Sequence, residues 1–292
     1  MTHDPSPPPA VAKKLTVYEP QALLGGFART LRTAAQELRA SRYLIWKLFV
    51  RDFHVQFRQK IFGYFWTIIA PFFAVFGFVL LHAAGILSPG DTGVPYPLYV
   101  FVGLTTWGTL ASTITAVSNG LVAQGELILK TSVPKIALAV AALAQVLYTI
   151  VVQLATIAVL MLLSGVAPNP ASVLFIPALL PMLLLGLSVG LVTSVVGSIA
   201  RDLASMIQTA LSLLMFLTPV IFVASTVANP WIRMLIWLNP LTYLVEVPRA
   251  LLLHGETAFW PQYLLVSAAS LVVLALAVRG FYLVQDLVAE RL

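Results

Sequence analysis

Between Lys135 and Arg201 the chain runs 65 residues without a single charged side chain. As one helix at ~1.5 Å per residue that run would measure about 98 Å, against a bilayer hydrocarbon core of ~30 Å. It must therefore fold back on itself. The stretch SGVAPNPAS (164–172), rich in Pro, Gly and Asn, marks the turn. Residues 92–125, 203–232 and 257–278 are charge-free too. Only 10% of the residues are charged, where soluble domains carry about 25%. Too few charges remain to coat a water-exposed surface, so the main solvent is lipid. The pattern predicts six membrane spans of ~20 residues, at 64–86, 98–118, 137–163, 173–200, 206–227 and 262–282.

Orientation follows from Lys and Arg. Fifteen of the 17 fall on one side: ten before the first span, then Lys130, Lys135, Arg201, Arg279 and Arg291. Arg233 and Arg249 fall on the other. Both termini are therefore expected in the cytoplasm. No apolar run opens the chain, so no cleaved signal peptide is expected. The net charge of +6 is accounted for by topology and anionic lipid, and no nucleic-acid partner is expected. The chain lacks cysteine, which excludes disulfides, thiolate metal sites and cysteine nucleophiles. Its four histidines, His3, His54, His82 and His254, are too scattered for a metal motif.

The Pro-rich residues 1–26 are expected to be a disordered tail. Over 27–62 the apolar residues Leu31, Leu38, Ile45, Phe49, Phe53, Phe57 and Ile61 recur at seven- or four-residue steps. Arginines fill the other faces, which predicts an amphipathic helix lying in the membrane interface. Arg51, Arg58 and Lys60 close this helix. One reading is that they only set topology. The other is that they form an entrance for an anionic, lipid-linked substrate, a task for which Arg is well suited. Tyr64, Trp66, Phe72, Phe73 and Phe76 crowd the first span. They suit either lipid contact and interfacial anchoring or stacking against sugar rings along a pore.

Within the spans ionisable groups are nearly absent, with His82 the exception. Proton- and ion-coupled carriers usually keep such groups at mid-membrane, so secondary transport is disfavoured. Gly108, Ser112, Ala116 and Gly120 form one small-residue ridge, and Gly186, Gly190, Ser194 and Ser198 another. Such ridges allow close helix contact. Pro71 and Pro219 are expected to kink their spans. After the fifth span, Asn229-Pro230 and Asn239-Pro240 each read as a helix start. The first helix would run Pro230–Leu238 and the second from Pro240 to about His254. At nine residues the first cannot cross a bilayer, so a re-entrant pair forming an outer gate is expected. Glu246 and Arg249, three apart, can pair there. Pro248 is expected to interrupt the second helix. Between spans two and three, Leu121, Glu126, Leu127, Ile128 and Lys130 make a short amphipathic segment that can dock into a partner's groove. No GxxxxGK[ST] loop occurs in the chain. Any ATP and Mg²⁺ would be held by a separate ATPase, and this chain needs no cofactor of its own. Six spans make a small pore wall, so a symmetric pair of subunits is expected.

Four stretches taken in order resemble one family: RDFHVQFRQKIFGYFWTIIAP (51–71), GELILKTSVPKIAL (125–138), RDLASMIQTALSLLMFLTPVIF (201–222) and NPLTYLVEVPRALLLHG (239–255). They are similar to the permease subunits of ABC-2-type exporters, specifically those of bacterial O-antigen, capsule and teichoic-acid polysaccharides. The resemblance implies an all-α integral membrane protein with six spans, an N-terminal interface helix and short re-entrant gate helices between spans five and six. It implies an ABC-2-type transmembrane domain over 63–292, with a coupling helix at about 121–131 and gate helices at about 229–255. It further implies a homodimer with two ABC ATPase subunits, moving a lipid-linked glycan outward. The permease itself would not be an enzyme. A drug or simple-lipid ABC-2 permease is one alternative. Another is an intramembrane enzyme acting on lipid-linked sugars, for which Asp52, Glu126, Asp202 and Glu246 are the available acids.

Overall fold

The computed structural model describes residues 26–58, 63–123, 133–199 and 201–291. Among these, every regular element is helical. In chain order they are α1 (Phe27–Ala40), α2 (Arg42–Arg58), α3 (Gly63–Ala83), α4 (Tyr96–Ala123), α5 (Lys135–Ala141), α6 (Leu143–Leu163), α7 (Phe175–Ala178), α8 (Leu180–Ile199), α9 (Arg201–Leu217), α10 (Pro230–Leu238), α11 (Pro240–Leu253) and α12 (Trp260–Arg291). Two 3₁₀ turns, Pro170–Leu174 and Ala224–Thr226, complete the set. Four stretches of the described residues are long and apolar enough to cross a membrane: Tyr96–Gly120, Lys135–Leu163, Pro170–Gly197 and Trp260–Val284. They coincide with the predicted second, third, fourth and sixth spans. The predicted first span is the 21-residue apolar helix α3, which runs through Pro71 without a break. The turn in SGVAPNPAS uses Gly165 at φ +67°, and the next element starts at Asn169, whose N–H donates to Ser172 Oγ and whose carbonyl accepts from Ser172 N–H.

Helix α4 is the hub. It is the least apolar of the four spanning stretches and the most enclosed by protein. Its Thr106, Thr109 and Thr113 hydroxyls donate back to the carbonyls of Val102, Thr105 and Thr109, so these polar groups are satisfied within the helix. Helix α8 lies along it. A Cβ on Gly186 would sit 2.7 Å from Thr113 Cβ, and one on Gly190 2.7 Å from Val117 Cβ. The predicted glycine ridge of the fourth span therefore packs backbone against span two. The second-span ridge has a different role. Gly120 abuts Ala142, but Ser112 and Ala116 line an open cleft. At the end of the bundle carrying α1 and α2, a second apolar cluster joins Ala34, Leu48, Ile136, Leu138, Phe281 and Tyr282. It fixes α1 and α2 against the ends of α5 and α12.

Over the described part of 27–62 the chain forms two helices, α1 and α2, that meet at Ser41. The hydrogen-bond ladder continues across the junction, since Ser41 N–H donates to Glu37 O and Ile45 N–H to Ser41 O. Two expectations are corrected. The predicted fifth span, 206–227, stops short: α9 ends at Leu217, and Pro219 terminates the helix instead of kinking it. Proline cannot supply the next N–H, and the helix end is closed by Thr218, whose hydroxyl donates to Leu214 O and whose N–H donates to Met215 O. Pro248, expected to interrupt the second short helix, lies buried inside an unbroken α11. There α11 is packed against α4, α7 and α12, and that burial outweighs the single lost hydrogen bond.

Candidate functional site

The segment that follows α9 is held by side chains from distant parts of the chain. Over Val220–Phe222 three consecutive carbonyls each accept from a different side chain. Arg249 Nη1 donates to Val220 O (3.1 Å), Tyr96 Oη to Ile221 O (3.0 Å) and Tyr99 Oη to Phe222 O (3.1 Å). Val223 N–H donates to Pro89 O at 2.8 Å, and Asn239 Nδ2 to Thr218 Oγ1 at 2.9 Å. Non-helical backbone inside a membrane protein is tolerated only when its polar groups are satisfied internally, and these donors do that. The approach is close: a Cβ on Gly103 would lie 2.1 Å from Val220 O. Glycine is the one residue that fits.

Arg249 organises this cluster although it is 1% exposed. Its guanidinium lies 4.0 Å over the Tyr99 ring, a favourable cation–π placement. Its Nη2 stands 2.6 Å from Glu246 Oε1, so the predicted i, i+3 pair forms. That contact is an ion pair whose angle falls short of a hydrogen bond. A buried arginine without these partners would be strongly destabilising.

Helices α10 and α11 form a tight hairpin beside it. Asn229 Oδ1 caps α10 by accepting from Trp231 N–H (2.9 Å), and Asn239 Oδ1 caps α11 by accepting from Leu241 N–H (3.0 Å). Pro230 and Pro240 hold the first helical positions. Thr242 and Tyr243 donate back to Ile236 O and Trp237 O, closing the free end of α10. The outward face of α10 is apolar, with Trp231, Met234 and Leu238 exposed.

Helix α9 has a core-facing side and an exposed side, and on the exposed side polar residues share the surface with Met206, Leu213 and Phe216. Ile207, Leu211, Leu214 and Met215 pack on the core. Ser205, Gln208, Thr209 and Ser212 are exposed on the other side, with the Thr209 and Ser212 hydroxyls bonded to Ser205 O and Gln208 O. Gln208 Nε2 also donates to Thr115 Oγ1 of α4 (2.8 Å). Thr115 in turn lines a cleft of ≈ 560 Å³ between α2, α4 and α6, with Arg51 at its edge.

The other predicted site residues are placed as follows. Arg51 lies exposed on α2, and Arg58 is the last residue of that helix. Tyr64 and Trp66 are in the first turn of α3. Phe72, Phe73 and Phe76 are exposed on α3 at 38%, 63% and 60%, although the Phe72 ring still lies 6.0 Å from that of the buried Phe101. Leu121 is in the last turn of α4. Lys60, Glu126, Leu127, Ile128 and Lys130 lie outside the described residues. The structure thus brings Asn239, Glu246 and Arg249 into one cluster; Arg51 and the first-span aromatics are separate from it. Tyr96, Tyr99 and Gly103 escaped the sequence reading. Their signal was an arginine in an otherwise apolar helix, which demands partners, and two tyrosines three apart opening span two. Among the described residues no three His, Cys, Asp or Glu side chains gather as metal ligands would.

Comparison with known proteins agrees with this architecture. The profile of the ABC-2 type transporter family matches residues 43–253. The chain belongs to that family. It is also similar to an O-antigen export system permease protein, RfbA, of Myxococcus xanthus: 24% identical over 241 residues, covering 82% of this chain and 91% of the relative. An ABC-2 chain is the membrane subunit of a transporter and is not itself the ATPase. In this ABC-2 protein the family match spans α2 to α11, so the Arg249 cluster, the hairpin and the two-faced α9 all lie within it.

Proposed function

We propose that this chain is the permease subunit of an ATP-driven exporter that carries lipid-linked polysaccharide from the cytoplasmic to the outer side of the inner membrane. The observation that carries the reading is the polar stripe on α9. Ser205, Thr209 and Ser212 are exposed and add no apolar contact to the core, and Gln208 beside them bonds Thr115 of α4. They suit a wall along which sugar hydroxyls exchange hydrogen bonds. The exposed Phe72, Phe73 and Phe76 of α3 add faces on which sugar rings stack. In this reading two copies of the chain put these surfaces around a shared path, giving six spans per copy if α3 and α9 with its unwound extension are counted. Two ATPase subunits supply ATP and Mg²⁺ and engage Leu121, Glu126, Leu127, Ile128 and Lys130 from the cytoplasm, where both termini lie. Arg51, Arg58 and Lys60 receive the anionic lipid-linked end, and α10–α11 with the Arg249 cluster form the outer gate. The described relative's name supports a glycan cargo.

The test is a strain in which this chain is the sole copy, carrying Thr209→Trp or Ser212→Trp. Both positions are exposed, so the protein should accumulate normally in the membrane. Surface polysaccharide should fall at least tenfold while lipid-linked glycan builds up inside. Normal surface polysaccharide from both variants, at normal protein levels, would refute the path.

A further inference from the structure

Helix α6 carries no charge, yet Gln145, Thr149 and Gln153 recur every four residues on one of its faces. Gln145 is in its first turn and Gln153 is its middle residue, so this face stays polar to the centre of the span. Opposite it stands α4. Asn119 of α4 lines the same cleft as Gln145 and Thr149, and the cleft's volume of ≈ 560 Å³ suits a small ligand. One turn beyond Thr149 the facing residue of α4 is Gly108, where a Cβ would stand 3.7 Å from Gln153 Nε2. One turn further on the same face of α4, Thr105 is 1% exposed and its hydroxyl has no hydrogen-bond partner. Polar side chains inside membrane helices usually bond helix to helix. Here the Thr149 hydroxyl donates to Gln145 O of its own helix. The carboxamides of Asn119, Gln145 and Gln153 make no hydrogen bond to any described residue. Leucine at those three positions would be cheaper to hold in lipid. Arg51, at the cleft's edge, already has a partner, and neither α4 nor α6 carries a charged residue.

An open carboxamide offers donors and an acceptor and no charge. A charged ligand would find no counter-charge on either wall, whereas a sugar ring carries neutral hydroxyls that donate and accept around its rim. Four-residue steps rise about 6 Å along the helix, close to the length of one sugar ring. We propose that the groove between α4 and α6 is a binding track for the neutral sugar residues of a glycan, held by the carboxamides of Asn119, Gln145 and Gln153. This deepens the exporter reading and rests on it for the source of the sugar. Gln208 of α9 donates to Thr115 in the cleft wall, so the track opens beside the exposed polar residues of α9.

The native chain has no cysteine, so single cysteines test the track. Gly108→Cys and Thr149→Cys, which keep all three carboxamides, are labelled with a charged maleimide in inverted membrane vesicles. The vesicles come from two strains, one making lipid-linked glycan and one blocked at the first sugar transfer, which holds only bare undecaprenyl phosphate. In the blocked strain both cysteines should label, because the empty groove holds water. Val151→Cys, at a position 62% exposed on another face of α6, should not. With glycan present both should label at least about threefold more slowly, the protection expected once the ligand exceeds its Kd about twofold. Adding Asn119→Ala/Gln145→Ala to Gly108→Cys should leave labelling in the blocked strain unchanged. It should raise the Kd about tenfold and so remove nearly all protection in the other. No labelling in the blocked strain means that lipid or protein fills the groove and overturns the proposal. Equal labelling in the two strains, or protection that survives Asn119→Ala/Gln145→Ala, overturns it too. The exporter reading fails separately: normal surface polysaccharide in a strain lacking this chain would sink it, while glycan protection of Gly108→Cys would keep the sugar track standing.

Discussion

Gly103→Ala is the sharpest probe of the cluster around Arg249. The added Cβ would lie 2.1 Å from Val220 O and 3.2 Å from Arg249 Nη1. Ordinary carbon–oxygen contact needs more than 3 Å, so the 218–222 backbone must retreat by about 1 Å. It cannot retreat freely, because Val220 O, Ile221 O and Phe222 O are each tied to a side chain. A 1 Å retreat takes the 3.1 Å Arg249–Val220 bond beyond hydrogen-bonding reach. Overpacking costs about 1–3 kcal/mol, and one or two lost hydrogen bonds about 1 kcal/mol each, more where the donor is charged. Replacing glycine inside a helix returns about 0.5–1 kcal/mol. The net expectation is about 2–4 kcal/mol of destabilisation, or a fall of roughly 5–15 °C in Tm. Thermal unfolding of the detergent-purified chain measures it. Gly280→Ala, where nothing lies within 4 Å, is the control and should be neutral or slightly stabilising. The native chain has no cysteine, so a single cysteine at Phe222 reports the same loosening as faster maleimide labelling in Gly103→Ala than in Gly103 protein. Equal Tm and equal labelling in the two alanine variants would refute the close approach and the role given to the three donors.

Tyr99→Phe removes only the hydroxyl that holds Phe222 O and should cost about 1 kcal/mol, whereas Arg249→Met strands Glu246 and should cost about 3 kcal/mol or more, both read by Tm. The two asparagine caps separate the same way: Asn229→Ala should lose about 1 kcal/mol, and Asn239→Ala about twice that, because Asn239 also holds Thr218. Gly186→Leu and Gly190→Leu would drive side chains into Thr113 and Val117 and should leave little folded protein by size-exclusion chromatography, while Gly165→Ala in the exposed turn should cost only about 1 kcal/mol.

Much of this protein is legible without coordinates. Runs of uncharged residues in water have one economical explanation, so the lipid setting and four of the spanning stretches follow from charge alone. The Asn-Pro pairs fix where α10 and α11 begin, because capping is chemistry between near neighbours in sequence. What needed the tertiary structure was every decision between distant segments. Charge-free length made 206–227 look like a span, but whether a helix continues past Leu217 depends on where the carbonyls beyond it find donors. Those donors come from Tyr96 and Tyr99, over a hundred residues earlier. Pro248 looked like a helix breaker by local rules, and burial on three sides overruled it. Four small residues on α4 read as one packing ridge, yet the partner that would fill the groove at Ser112 and Ala116 is an alanine-floored opening whose depth no spacing rule encodes. Sequence determined which segments leave water, since that is a sum over a residue's own side chain and its neighbours. Only the fold decided which polar groups meet, since a hydrogen bond in lipid depends on a partner brought within about 3 Å from elsewhere in the chain.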